Sequence, residues 1–493
     1  MKNTKYILGI ALLITLVPSC KKFVDYKPKE DYQITADDYL KTADDYQKMV
    51  VGTYTPLQWI WADVVIGDVA SDNSVSGGEN ATDQLGFQQI DDYQIIPNNG
   101  YLTEAWKACF EGINRANYLE ENKAKLDFTG KDALYGEVYF LRAYYYFELV
   151  RMFGDVPLFV DKRLTVAESG TLQRAPKADV YTQIEKDLNN AIAVLPITNI
   201  QKGRITKYAA QALLGKVLLY QNKFDESAAM LENVVNGPFS LTTNFADIFL
   251  QNGENGPESV FEIQYSNASP YYDWSNPGRG QGNLAVQVCG IRNLTGNSPY
   301  GQGWSTNLPT TNLAAAFTDG DKRKNVTILD IEAYKAANPS LNITYLVAPY
   351  KNTGLYNQKY LPRKGETSGQ VELNYLNNFR TIRYADVLLM AAEANNRATA
   401  PNDTKAQDYL NRVRRRAFGD QAHDIAATGA TLKQAIWDER RLELAMEGDR
   451  FFDLVRTGQA ASKITGFVAN KNELFPIPQQ EIDISGLTQN PGY

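Results

Sequence analysis

The segment Val138–Val150, VYFLRAYYYFELV, carries Arg142 and Glu148 as its only charges and is apolar nearly all round. A helix of that kind has no face to offer water, so other elements must wrap it on most sides. Gly154 and Pro157 then end it. The chain has the material for such a body: 493 residues, 44% of them apolar and 22% charged. This exceeds the roughly 250–300 residues at which single cores stop growing, so a large, multi-lobed protein is expected.

Further helices come in pairs. Thr206 reads as the N-cap of KYAAQALLGKVLLYQ, and a second helix runs from about Phe224 to Asn236. In the second, Phe224, Ala228, Leu231 and Val234 fall on one face, and Gly237-Pro238 is the stop. The pair resembles a tetratricopeptide (TPR) unit. Leu214-Gly215 and Leu218 match its L-G-x2-Y segment with Leu for Tyr, and Asn222–Asp225 makes the turn. Ser227 stands where a small side chain lets two helices approach. Ile382–Arg397 with Thr404–Ala417 is a second such pair, on Ala406, Leu410, Val413 and Ala417. The fold class expected is mainly α, a TPR-like superhelical scaffold of helix pairs with a loop-rich lobe and few short strands.

Residues 56–100 and 251–312 break this patterning and are rich in Gly, Asn, Ser, Asp and Pro. One strand is expected there, Val260–Tyr265, from its alternation. Irregular stretches this long often carry function, and these hold four of the six tryptophans. The first offers Trp59, Trp61, Asp72 and Asn73; the second offers Tyr271, Tyr272, Trp274, Arg279 and Trp304. A sugar ring stacks its C–H face on a flat aromatic, and its hydroxyls pair with Asp, Asn and Arg, so these nine residues are the candidate ligand contacts. The competing reading packs the rings beneath their own loops as satellite cores. Trp106, in a helix of mixed pattern, is expected in the core.

Several chemistries are excluded or disfavoured. The single histidine, His423, makes a Ser-His-Asp triad improbable and forbids His-rich metal sites. A net charge of −7 argues against a nucleic-acid surface. Gly296-x4-Gly301 is followed by Gln302-Gly303, so it is no phosphate loop, and Asp68–Asp83 lacks EF-hand spacing; no cofactor is called for. A glycoside hydrolase needs only two carboxylates and remains an alternative. Within WDERRLELAMEGDRFFDLVRTG, Glu439 interrupts an apolar stripe of Leu432, Ile436 and Met446. With Arg440, Arg441, Arg450 and Arg456 close in sequence, an internal ion-pair network fits it better than a catalytic acid. Cys109 reads as a buried free thiol, while a pairing with Cys289 stays open.

The amino terminus is an address. Lys2 and Lys5 precede an apolar run of 12 residues, Tyr6–Val17, which suits a signal peptide and is too short to span a bilayer. It closes on Leu16-Val17-Pro18-Ser19-Cys20, which resembles a bacterial lipobox. Residues 1–19 would be removed and Cys20 lipidated, anchoring the protein to a membrane.

In this order the pieces resemble the SusD/RagB family of outer-membrane nutrient-binding lipoproteins. The resemblance rests on the lipobox, Trp106–Glu121, Gly136–Phe159, Gly303–Phe317, Phe379–Asn395, the ERRLELAMEGDRFFDLVRTG run, and Leu474–Ile482. It implies a SusD-like N-terminal segment over 20–250 with TPR-like helices. It also implies a C-terminal segment over 251–493, holding the loop-rich insertion 251–312 and closing helices. It further implies a non-catalytic surface protein that binds oligosaccharides, or in some members peptides, and caps a SusC-like TonB-dependent transporter. No motif transfers ligand-contacting positions, so the nine candidates stand on loop composition alone.

Overall fold

The structure, a computed structural model, describes residues 39–274, 280–347, 350–368 and 373–493. The leader, Cys20 and Arg279 lie outside the described residues.

Helices dominate. Gly100–Glu121 packs on Lys131–Phe153, which packs on Lys177–Val194, and the array continues through Lys207–Tyr220 and Phe224–Val235. The chain then leaves the array and rejoins it beside Phe224–Val235 with Tyr384–Arg397, followed by Asp403–Phe418 and Gly429–Glu443. The helix expected to be wrapped on most sides is: from Leu134 to Phe153, Arg151 alone is not buried. Gly154, at φ +72°, is its C-cap. Its buried Arg142 is held by both carboxylate oxygens of Asp187, each at 2.8 Å.

Both helix pairs form where periodicity placed them. Thr206 caps the first, accepting from the Ala209 amide at 3.3 Å. The crossing is close because Gly215 faces Leu231, whose side-chain carbons would lie 2.4–2.5 Å from an added Cβ. Ser227 closes it by donating to the Gly215 carbonyl at 2.8 Å. The second pair starts two residues later than expected. Phe379–Arg383 is a strand paired antiparallel with Ser259–Ile263, and the helix begins at Tyr384.

The loop-rich lobe is less irregular than its composition suggests. Residues 56–100 contain the helices Ala62–Val69 and Leu85–Asp91 and the strand Ser74–Ser76. Every residue of Ala62–Val69 is buried, so no polar face marks its period in the sequence. Ser74–Ser76 pairs antiparallel with Asn307–Pro309, and Ile328–Asp330 with Leu355–Asn357. Residues 251–312 also include a buried helical turn, Leu284–Cys289. Cys109 and Cys289 are both buried and free.

A charged interior joins lobe and scaffold. Arg383 is buried between Glu258 at 2.7 Å, Glu443 at 2.9 Å and Glu447 at 2.8 Å. Glu439, 1% exposed, is gripped by Arg323 at 2.6 Å and Arg414 at 2.7 Å. The network is as expected, but these two partners come from outside the neighbouring sequence. Burial opposes ionisation of Glu443, yet Arg416, Arg383 and Arg323 outweigh it and hold its carboxyl well below the usual range.

Candidate ligand-binding cleft

Asn99 begins the main wall. Its side chain accepts from the amides of Tyr101 and Leu102 at 3.1 and 3.3 Å, capping the helix Gly100–Glu121. Its amide also donates to the Gly86 carbonyl at 2.8 Å, fixing that helix to Leu85–Asp91. The helix presents Tyr101, Glu104, Trp106, Lys107, Phe110 and Glu111 to a cleft of about 1300 Å³. Trp59, Trp61, Trp274 and Trp304 line it too, and Phe159, Leu172, Glu481 and Ile484 extend it.

The aromatics are organised in two groups. Trp274 and Trp304 lie 6.1 Å apart with planes at 31°, and Trp274 is 69% exposed. Trp304 is held through its backbone: its amide donates to the Gln287 carbonyl at 2.9 Å, and its carbonyl accepts from Arg292 at 3.0 Å. Arg292 in turn pairs with Asp83. Further in, Phe110 stacks with Phe159 at 5.8 Å and 13°. Trp61 meets Tyr101 edge-on at 5.9 Å, and Tyr101 itself stacks on Phe87 at 3.7 Å. The guanidinium of Arg115 sits 5.2 Å from the Trp59 ring centre.

Four of the nine candidates, Trp59, Trp61, Trp274 and Trp304, are thus brought together by segments far apart in the chain. Arg279 lies outside the described residues, and the other four fall elsewhere. Tyr272 is fully buried, its amide donating to Asn374 at 2.7 Å and its hydroxyl to the Gln58 carbonyl at 3.2 Å. It packs under the loop and presents no free ring face. Tyr271 is half-buried and does not line the cleft. Asp72 lines a different, polar crevice of about 430 Å³ and is clamped by Arg450 at 2.7 Å and Arg441 at 3.2 Å. Burial opposes its charge, but these arginines hold its carboxyl below the ordinary value. Asn73 is buried and accepts from Arg441 at 2.8 Å, a structural role.

The helical wall escaped sequence reasoning, although a signal existed. Glu104, Lys107 and Glu111 recur at three and four residues with Thr103, Phe110 and Asn114 beside them, a polar-aromatic face on a helix whose other face is core. Trp106, expected in the core, is 2% exposed, and it also forms cleft floor. Burial raises the Glu481 carboxyl, opposed by the indole N–H of Trp106 and by Lys107. Gln84, Asn98, Thr103, Asn114, Gln480 and Ser485 add polar side chains to the lining.

Comparison with known proteins adds to this geometry. The SusD family model matches residues 257–493, and a second, described as starch-binding associating with outer membrane, matches residues 22–219. SusD-like protein P2 of Formosa agariphila is 27% identical over the whole of both chains. A laminarin-binding SusD-like protein of known structure is 34% identical, with a TM-score of 0.82 over 92% of this chain and 100% of its own. Surface glycan-binding protein A of Bacteroides thetaiotaomicron, solved with laminarihexaose, is 28% identical, with a TM-score of 0.79 over 91% of this chain and 100% of its own. With both halves of the chain matched and its fold shared over nearly its full length, the protein belongs to the SusD/RagB family.

Proposed function

We propose that this is a non-catalytic lipoprotein that captures oligosaccharides in the aromatic cleft and delivers them to a SusC-like TonB-dependent transporter. The observation that carries the reading is the pairing of exposed Trp274 with half-buried Trp304 on the lining of a cleft of about 1300 Å³. Two tilted rings offer flat apolar area to successive sugar C–H faces, and indoles supply it at low entropic cost. The cleft exceeds the roughly 300–1,000 Å³ of a drug-sized site, in keeping with an oligomer. The laminarin-binding and laminarihexaose-bound relatives support a glycan over a peptide. Glu104 and Glu111 are engaged by Lys107 at 3.7 Å and Arg115 at 2.9 Å, an arrangement suited to binding rather than proton transfer.

In this account Cys20 carries the lipid anchor, the protein sits on the outer membrane facing outward, and the helix-pair surface meets the transporter. No helix among the described residues is long and apolar enough to cross a membrane. The test is calorimetric titration of the soluble chain starting after Cys20 against neutral glucans and mixed peptides, with chromatography of each mixture. The expected result is micromolar-to-millimolar glycan binding, about −4 to −8 kcal/mol, without product. Peptide binding alone or product formation would overturn it.

A further inference from the structure

We infer that the cleft selects neutral oligosaccharides and turns away polyanionic ones, uronates and sulfated chains, and that Glu104, Glu111 and Glu481 set this selection. The inference rests on the oligosaccharide reading above and names the substrate class within it. Among the described residues that line the cleft, the charged ones are Glu104, Lys107, Glu111 and Glu481. That is three carboxylates against one ammonium, and the ammonium lies 3.7 Å from Glu104. Glu111 is paired at 2.9 Å with Arg115, whose guanidinium also donates to the Gly52 carbonyl and lies 5.2 Å from the Trp59 ring centre. The guanidinium fork of Arg115 is thus committed to the wall.

Recognition of a uronate or sulfate demands the opposite arrangement, with guanidinium forks or ammonium groups aimed at the ligand. Here an incoming anion would meet carboxylates, Glu104 and Glu111 among them substantially exposed, and like charges repel at a strength that salt can screen. A neutral sugar meets the same carboxylates as hydrogen-bond acceptors for its hydroxyls and brings no charge of its own to be repelled. The wall therefore discriminates by repulsion while the tryptophans attract any ring.

The experiment titrates the chain starting after Cys20 with laminari-, malto- and cello-hexaose, and with hexamers of galacturonate and of alginate, at low and high salt. The neutral class should bind at least tenfold more tightly than either uronate at low salt, and the gap should shrink at high salt as the repulsion is screened. The Glu104→Gln, Glu111→Gln, Glu481→Gln variant should shift the uronate-to-neutral affinity ratio at least tenfold towards uronate. Glu104→Gln alone, at an exposed position, should shift it the same way by about threefold, which keeps the idea testable should the triple variant misfold. Uronate binding as tight as neutral binding, or a ratio unmoved in the folded variants, would overturn the selection while leaving oligosaccharide capture intact. Binding of neither class would overturn the capture reading and the selection with it.

Discussion

Asp63 is a buried carboxyl whose two oxygens find no hydrogen-bond partner among the described residues. Burial raises its pKa well above the ordinary value, and Glu148 adds to the rise, only partly offset by Arg151. On the same helix, burial pushes Asp68 up to about 7, although Asn307 and the Gly448 amide donate to it at 2.9 and 3.0 Å. A carboxyl raised in the folded state favours folding at low pH and costs stability as pH climbs from its unfolded value near 4 through its folded value. Asp63→Asn should therefore flatten the pH dependence: between pH 5 and pH 8 its melting temperature should fall less than that of the wild type. Equal falls would place the proton elsewhere. Tyr272 shows where residue-level reading stops. Composition marks YYDW as an aromatic cluster, but whether a ring turns in or out depends on Asn374 and Gln58, which lie more than a hundred residues away.

At the scale of elements, the helix Ala62–Val69 is the piece that ties the two ends of the chain together. Gly67 crosses the Gly448 backbone so closely that an added Cβ would sit 1.7 Å from its carbonyl oxygen. Backbone cannot rotate aside, so Gly67→Ala should destabilise at or beyond the upper end of the roughly 1–3 kcal/mol of overpacking, measured by urea unfolding. A loss under about 0.5 kcal/mol would mean the crossing is looser than described. On the helix Gly429–Glu443, Glu439→Gln removes the charge that Arg323 and Arg414 share. It should lower stability by about 1.5–3 kcal/mol and leave glycan affinity unchanged. Lost affinity at an unchanged melting temperature would contradict its structural role. The scaffold helices were legible because caps, stops and a 3.6-residue period coincide in them. Ala62–Val69 was not, because a short helix buried on every side has no period to display.

In the molecule as a whole, the helical array is built from both halves of the sequence, and the segment between them folds as the lobe that carries Trp274 and Trp304. The cleft draws on residues 59–61, the helix Gly100–Glu121, residues 157–172, the two lobe tryptophans, and the closing helix Gln479–Ser485. Its aromatic half could be seen in the sequence as tryptophans where a core does not call for them. Its helical half left only a polar-aromatic stripe on Gly100–Glu121, and a cleft-facing stripe and a solvent-facing stripe look alike until the lobe is folded over one of them. The most direct test is titration of wild type and the Trp274→Ala, Trp304→Ala double variant with laminarihexaose and maltohexaose, alongside circular dichroism and thermal melting. The account predicts that the wild type binds at least one of these glucans. The variant should keep its helical spectrum and melting temperature and lose about a hundredfold in affinity, roughly 2.7 kcal/mol. Retained affinity in the variant would remove the tryptophan pair from the site and contradict the aromatic-cleft account.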